Sequence, residues 1–532
     1  MQKLEAWLEA NPEKVFFILL LFAVPAFFFN LGLLPLFADE PTRANVALEM
    51  ILSKNYAVPT IAGEYYYNKP PLYNWILASF YLLTNNFSEF VTRLPALVPL
   101  FLFAITIFYS VKYFLKDTRI AALSGILFMV NGRMLFYDSM LGHIDIFYSW
   151  LTFLSFMSIF YFYERKQWFL LFLVSYLITA FTFLAKGLPS IVFQGFTILT
   201  LLVYTKNFKK LFSWQHILCG LLCLVIIGAY FLNYSRYNPD LTGYFSTIWD
   251  QSSQRTAVRV GFWPTLKYIL LFPIEHAGHL FPASLLILFC FNSGFVHAVK
   301  RTPFLKYITL VFLVNIVVYW LSPQTRPRYL LMLYPLLFTL WSYAFFTFRD
   351  KLHRVNKIFE VLLLVISILF TLSVLAVPFA GLDAFVPALL YKVTGIFILL
   401  AFFTWLVYKL ESQKIVAFIA ILLVARLAFS FFVLPYRLNH NDNRYYKNIS
   451  IEMGSDSQGK DFYFYKYHPD VLAIPFYDRL IFYIERTRMS QVKVVEEDIK
   501  PGYYLTFGEN LQNPKAVLLK TYKSNLKLFE VK

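Results

Sequence analysis

Long apolar runs recur along most of the chain, each divided from the next by a polar or charged stretch. A hydrocarbon core of about 30 Å needs about 20 apolar residues in a helix. Thirteen runs of roughly that length predict as many membrane spans, at residues 15–37, 95–115, 120–137, 144–163, 168–185, 187–205, 215–234, 280–299, 307–322, 329–348, 358–379, 386–408 and 415–434. Three of the intervening or flanking stretches, residues 38–94, 235–279 and 435–532, are too long to be simple connections, and function is expected there. In the first of them the pattern predicts a helix over 41–53. Pro41 stands at an early turn, Asp39 or Glu40 is available to cap it, and Ala44, Val46, Ala47, Met50 and Ile51 give it a partly apolar face. That helix is expected to lie along the membrane surface. The last stretch changes period: 461–467, 502–508 and 516–522 read as strands and 471–488 as a helix. The predicted organisation is a polytopic α-helical membrane domain, residues 1–434, followed by a small α/β domain outside the membrane, residues 435–532.

Composition agrees with that pattern and excludes a soluble globule, with 59% hydrophobic and 15% charged residues and a mean hydropathy of +0.57. Charge adds direction. Lys and Arg collect in alternate short connections, at 116–119, 164–166, 206–210, 300–306, 349–357 and 409–414, which marks that side as cytoplasmic. The N-terminus is then inside, and the long stretches at 38–94, 235–279 and 435–532 are outside. These loops account for most of the net charge of +17, so the basic balance reflects topology and anionic lipid headgroups and gives no sign of nucleic-acid binding. Cys219, Cys223 and Cys290 fall in or near apolar spans and read as small buried hydrophobes. The first span has no small-residue cleavage pattern and is expected to be a retained anchor.

With this topology, ionisable residues cluster at the outer ends of the spans. Asp39, Glu40, Arg43 and Lys69 lie in the first outer loop, Asp138 and Asp145 flank the connection between the third and fourth spans, and Lys186 starts the connection between the fifth and sixth. Arg255 and Arg259 are in the second long loop, and Arg326 and Arg328 precede the tenth span. Charged groups at a membrane face a cavity or pair with one another. A few carboxylates among several cations suit an anionic, phosphate-bearing lipid and a reacting hydroxyl or phosphate. Cations stabilise a departing phosphate, and a carboxylate accepts a proton or orients the attacking group. No Gly-rich phosphate loop is present, so a donor resident in the membrane fits better than a nucleotide sugar. Plainer roles stand beside these: Asp39 as a helix cap, Lys69 as a headgroup anchor, Tyr65 to Tyr67 as an interfacial aromatic belt, and Asp138, Asp145 and the arginines as salt-bridge partners. Glu275, His276 and His279 are metal ligands by composition alone, and a structural role weighs more. A carrier of lipid-linked sugars would place polar segments near the membrane midplane, where these spans are apolar.

The run Asp39-Glu40-Pro41-Thr42-Arg43 with Glu49-Met50, then Tyr67-Asn68-Lys69-Pro70-Pro71-Leu72-Tyr73-Asn74-Trp75 and Arg93-Leu94-Pro95, resembles the N-terminal signature of polyprenyl-phosphate-dependent GT-C glycosyltransferases. Lipid A aminoarabinose transferases and bacterial relatives of protein O-mannosyltransferases are the groups it is most similar to. Asp145 resembles the aspartate these proteins carry early in the fourth span, Lys186 in Ala185-Lys186-Gly187 resembles their Thr-Lys-Gly lysine, and Pro327-Arg328-Tyr329-Leu330 with Tyr334-Pro335 resembles their Arg-Tyr segment. Asn68 stands where the aminoarabinose transferases carry Glu, which removes a possible metal ligand. The resemblance covers the chain through about residue 340. It implies a GT-C fold and an inverting sugar transfer from a polyprenyl-phosphate donor to a lipid A-like lipid or a protein, at the outer face of a bacterial inner membrane. In that reading Asp39 and Asp145 are catalytic, and Lys69, Lys186, Arg255 and Arg328 hold donor phosphate. Glu40, Arg43, Tyr67, Asp138 and Tyr329 support the acceptor side. No cofactor is implied, beyond the metal ligands named above.

Overall fold

The computed structural model describes residues 1–253, 260–323, 325–466 and 477–532. It divides into two compact units: residues 1–31, 96–228 and 249–437 make the first, and residues 32–95, 229–248 and 438–532 the second.

Helices dominate the first unit. Among the described residues, nine helices in the chain are long and apolar enough to cross a bilayer, or eleven if two sharply bent pairs each count as one span. Glu89–Leu115, with 27 residues, rises about 40 Å at 1.5 Å per residue, more than a hydrocarbon core requires. The expected runs at 187–205 and 329–348 form shorter helices, Pro189–Tyr204 and Tyr334–Phe348. Proline explains both starts: Pro189 and Pro335 occupy the first turn, where a missing N–H costs nothing. The run at 280–299 departs most from expectation. Instead of one span there is an apolar helix Phe262–His279, beginning inside the stretch expected to be an outer loop, then a 3₁₀ segment Ala283–Cys290 turned by 116°. Pro282 stands between them, and its missing N–H cannot continue the helical ladder.

The second unit brings the first long loop together with the C-terminal segment. Helix Glu40–Ser53 is only 14 residues long, marginal by itself in water, and packing holds it. Ala44, Ala47 and Leu48 are buried against Leu77 and Tyr81 of helix Leu72–Thr84 and Phe482 of helix Tyr477–Arg488. Each large apolar side chain so buried contributes about 1.5–3 kcal/mol. A short antiparallel hairpin, β1 (Thr60–Ile61) and β2 (Glu64–Tyr65), inserts Ala62 among Phe462, Phe464, Leu480, Ile484 and Leu526. Leu480 and Ile484 belong to helix Tyr477–Arg488, and Phe462, Phe464 and Leu526 to a five-stranded sheet made of β3 (Phe462–Tyr465), β4 (Lys493–Val495), β5 (Gly502–Phe507), β6 (Ala516–Thr521) and β7 (Leu526–Val531), in the order β4-β3-β5-β7-β6. β3 is parallel to β4 and β5, and β7 is antiparallel to β5 and β6. Helix Tyr477–Arg488 lies in the crossover that a parallel β3–β4 pair requires. The strands expected at 461–467, 502–508 and 516–522 appear as β3, β5 and β6. Of the helix expected over 471–488, residues 471–476 lie outside the described residues.

Candidate functional site

In the first unit, Asp145 sits in the opening turn of helix Ile144–Glu164, and Lys186 is the last residue of helix Trp168–Lys186. Each charge therefore matches the end of the helix dipole that carries it. Gly187, at φ 83° and ψ −142°, turns the chain immediately afterwards, a conformation that suits glycine. Arg328 is held in the 3₁₀ turn Pro327–Leu330. The three meet. Lys186 Nζ lies 2.5 Å from Asp145 Oδ1 and Arg328 Nε 3.1 Å from Asp145 Oδ2, with all three side chains buried. Two aromatic faces complete the surround: Lys186 Nζ lies 4.3 Å from the ring centre of Tyr329 and 4.8 Å from that of Tyr148. One carboxylate is thus shared by two cations, leaving a net charge of +1 in a low-dielectric setting, where its pull on an anion is strong. His143, at the N-cap of the same helix, is in electrostatic reach of Asp145.

Asp138, also in the first unit, is engaged elsewhere. Arg133 grips it through two hydrogen bonds of 2.8 Å each, the geometry of a bidentate guanidinium–carboxylate pair. Glu275 and His279 are 3.3 Å apart, while the buried His276 ring stacks on Phe272 at 4.0 Å. Among the described residues, no group of three or more His, Cys, Asp or Glu side chains is placed to hold a metal ion.

In the second unit, Asp39 occupies the N-cap position of helix Glu40–Ser53, yet its side chain makes no capping hydrogen bond. Its carboxylate is exposed and that of Glu40 is buried. Glu40 takes a bidentate ion pair from Arg93, at 2.8 and 3.0 Å, and accepts the Phe37 N–H at 3.1 Å. Adjacent acids therefore divide into a buried one and an exposed one. Arg43 donates to the Tyr66 hydroxyl and lies over its ring. Tyr67 packs edge-on against Tyr244, its centroid 6.0 Å away, and its hydroxyl accepts from Asn238 Nδ2 at 3.1 Å. Lys69 is half-buried at the Pro70-Pro71 entry to helix Leu72–Thr84. Arg255 lies outside the described residues.

Several groups in these constellations escaped the sequence reading. Arg133 lies within an apolar run and was absorbed into a span. Tyr66 was read only as one of three consecutive tyrosines. Asp478, whose carboxylate accepts from Thr42 Oγ1, belongs to a C-terminal helix whose sequence carries no sign of what it packs against. Glu49 and Glu485 are in electrostatic reach of each other, although 436 positions separate them.

Long apolar helices, a small mixed sheet and charged residues at helix ends mark a multi-pass membrane protein with a GT-C-like fold. The particular likeness is to ArnT. ArnT from Cupriavidus metallidurans bound to undecaprenyl phosphate superimposes with a TM-score of 0.67 over 97% of each chain at 14% identity, and its apo state with 0.66. The fold of this chain is therefore ArnT-like. Residues 68–231 match the sequence model of the family described as dolichyl-phosphate-mannose-protein mannosyltransferase. Undecaprenyl phosphate-alpha-4-amino-4-deoxy-L-arabinose arabinosyl transferase 2 of Proteus mirabilis (strain HI4320) is 23% identical over 329 residues, 59% of this chain. The matched stretch spans 56% of that relative's length.

Proposed function

We propose that the chain is an integral membrane glycosyltransferase that moves a sugar from a polyprenyl-phosphate donor to an acceptor at the outer face of the membrane. The observation that carries this reading is the buried trio Asp145, Lys186 and Arg328, with its surplus positive charge, on a fold shared with a protein bound to undecaprenyl phosphate. The chemistry calls for such a surplus. An acceptor oxygen attacks the anomeric carbon with its lone pair, the bond from that carbon to the phosphate oxygen breaks, and the electron pair leaves with the phosphate. A singly charged diester becomes a monoester with more charge, so cations bind the product and the transition state more tightly than the donor. In this mechanism Lys186 and Arg328 bind the departing phosphate, and Asp145 holds both cations in place.

Asp39, exposed and unused as a cap, takes the acceptor. A hydroxyl acceptor transfers its proton to that carboxylate as the new bond forms. An acceptor phosphate, already anionic, needs no base, and Asp39 then orients it. Attack opposite the leaving phosphate inverts the anomeric centre. The relatives favour a lipid A-like lipid or a protein as acceptor, and the distribution of basic loops favours a cytoplasmic N-terminus and an extracytoplasmic C-terminal domain.

Purified protein in lipid nanodiscs, supplied with undecaprenyl-phosphate-linked aminoarabinose or mannose and with lipid A or a protein acceptor, tests this. The D39N variant should lose turnover while still binding undecaprenyl phosphate, and K186A should lose undecaprenyl phosphate in native mass spectrometry. Wild-type turnover by D39N together with normal lipid binding by K186A would remove both assignments. Movement of a labelled lipid-linked sugar across proteoliposomes without any transfer would replace the enzyme with a carrier.

A further inference from the structure

A residue from near the C-terminus secures the start of the first-loop helix. Asp478 is the second residue of helix Tyr477–Arg488. Its Oδ2 accepts from Thr42 Oγ1, and its backbone carbonyl accepts from Asn45 Nδ2 at 2.6 Å. Thr42 and Asn45 bracket Arg43, whose guanidinium favours the ionised form of Asp478, whereas Asp39 opposes it. Tyr66 is in electrostatic reach of Arg43, Asp478 and Asp39 together. Two carboxylates from distant parts of the sequence thus lie within electrostatic reach of one tyrosine.

This arrangement has two physical consequences. Thr42 stands three positions after Asp39, about one helical turn away, so a fixed Thr42 and Asn45 set the rotation of that turn and the direction in which Asp39 leaves it. Asp39 and Asp478 also repel each other as like charges. Among the described residues, the charged and titratable groups in electrostatic reach of Asp478 include Asp39 and Arg43 of the first-loop helix, Tyr66 of the following loop, and Arg479 of its own helix, which Glu40 also faces. Burial lifts the Asp478 carboxyl above its ordinary value, against the Thr42 hydrogen bond and the charges of Arg43 and Arg479, with Asp39 adding to the rise.

We propose that Asp478 is a positioning residue for Asp39: the C-terminal domain supplies the carboxylate that orients the opening turn of the first-loop helix and brings a second negative charge within electrostatic reach of Asp39. Its catalytic meaning rests on the reading of Asp39 given above, and the test separates the two. Infrared titration of isotope-labelled aspartate in the full-length protein in nanodiscs identifies the Asp39 carboxylate band as the one missing in D39N. D478N retains an oxygen for Thr42 and removes the charge. The Asp39 midpoint should then fall by ~0.5 pH unit or more, and D478E should return it. A merely structural contact would leave that midpoint where it was, so an unmoved midpoint in D478N overturns the pairing. If the midpoint falls but D39N turns over at the wild-type rate, the pairing stands and the proton-accepting role of Asp39 is overturned.

Discussion

At the scale of single residues, the buried trio separates binding from stability. Asp145 lies between Lys186 and Arg328, so D145N takes from two buried cations the carboxylate they share, and breaking a buried pair costs about 3–5 kcal/mol. K186A leaves Asp145 still paired with Arg328 and should cost less. The expected outcome is a large fall in thermal midpoint in detergent micelles for D145N. For K186A the fall should be smaller, while the loss of undecaprenyl phosphate binding is larger. Equal losses of stability in the two variants would argue against the shared carboxylate. Asp39, Lys186 and Arg328 were legible in the sequence because each charge stands at the edge of an apolar run, where it demands a partner. Their pairings were not: Glu40 and Asp39 are adjacent in sequence, and only three-dimensional packing shows that Arg93 claims the first.

At the scale of elements, a buried carboxyl pair links the first-loop helix to the C-terminal helix and makes the second unit sensitive to pH. Glu49 accepts from Thr60 Oγ1 at 2.7 Å, the Gly63 N–H at 3.2 Å and Gln491 Nε2 at 3.2 Å. Burial outweighs those bonds and lifts its carboxyl from 4.5 to about 7. Glu485, beside it, is raised well above its ordinary value by burial and by Glu49. The sign follows from proton counting. Between these values the unfolded chain has released a proton that the folded chain keeps, so stability falls as pH rises from about 4.5 to about 7. At about 1.4 kcal/mol per pH unit, the loss from Glu49 is about 3 kcal/mol, and Glu485 extends it to higher pH. E49Q imitates the protonated acid, with an amide that can donate to Glu485. Its thermal midpoint should therefore depend less on pH than the wild-type midpoint, and a wild-type slope retained in E49Q would count against the pair. Nothing in the local pattern announced this contact. Glu49 reads as the polar face of an amphipathic helix, and Glu485 as one of several charges on another, because helical periodicity reports which face is apolar and not what the polar face meets.

At the scale of the whole molecule, the apolar periodicity predicted a polytopic helical protein with a final α/β segment, and the structure has both. Periodicity is local, however, and it was weakest where proline and long-range packing decide, as at residues 262–290 and in the second unit. That unit interleaves three separate stretches of sequence, so the last hundred residues are part of the scaffold of the first long loop. Glu89 shows what they supply. Its buried carboxylate is met by Lys447 at 2.5 Å, Arg486 at 3.5 Å and the Tyr483 hydroxyl at 3.0 Å, and Tyr483 also accepts the Leu36 N–H. All three partners lie beyond residue 437. Truncation after Arg437 keeps every residue of the sequence signature, but it strips Glu89 of these charges and uncovers Ala44, Ala47, Leu48 and Leu77, which Phe482 and Tyr483 help bury. A buried charge without a partner costs several kcal/mol, and a 14-residue helix without its apolar cover does not hold alone. The truncated protein should still insert in the membrane, because its long apolar helices remain. Hydrogen exchange across residues 36–53 should rise to the rate of an unstructured loop, and sugar transfer should be lost. Protection of residues 36–53 equal to that of the full chain would show that the first loop folds without the C-terminal domain.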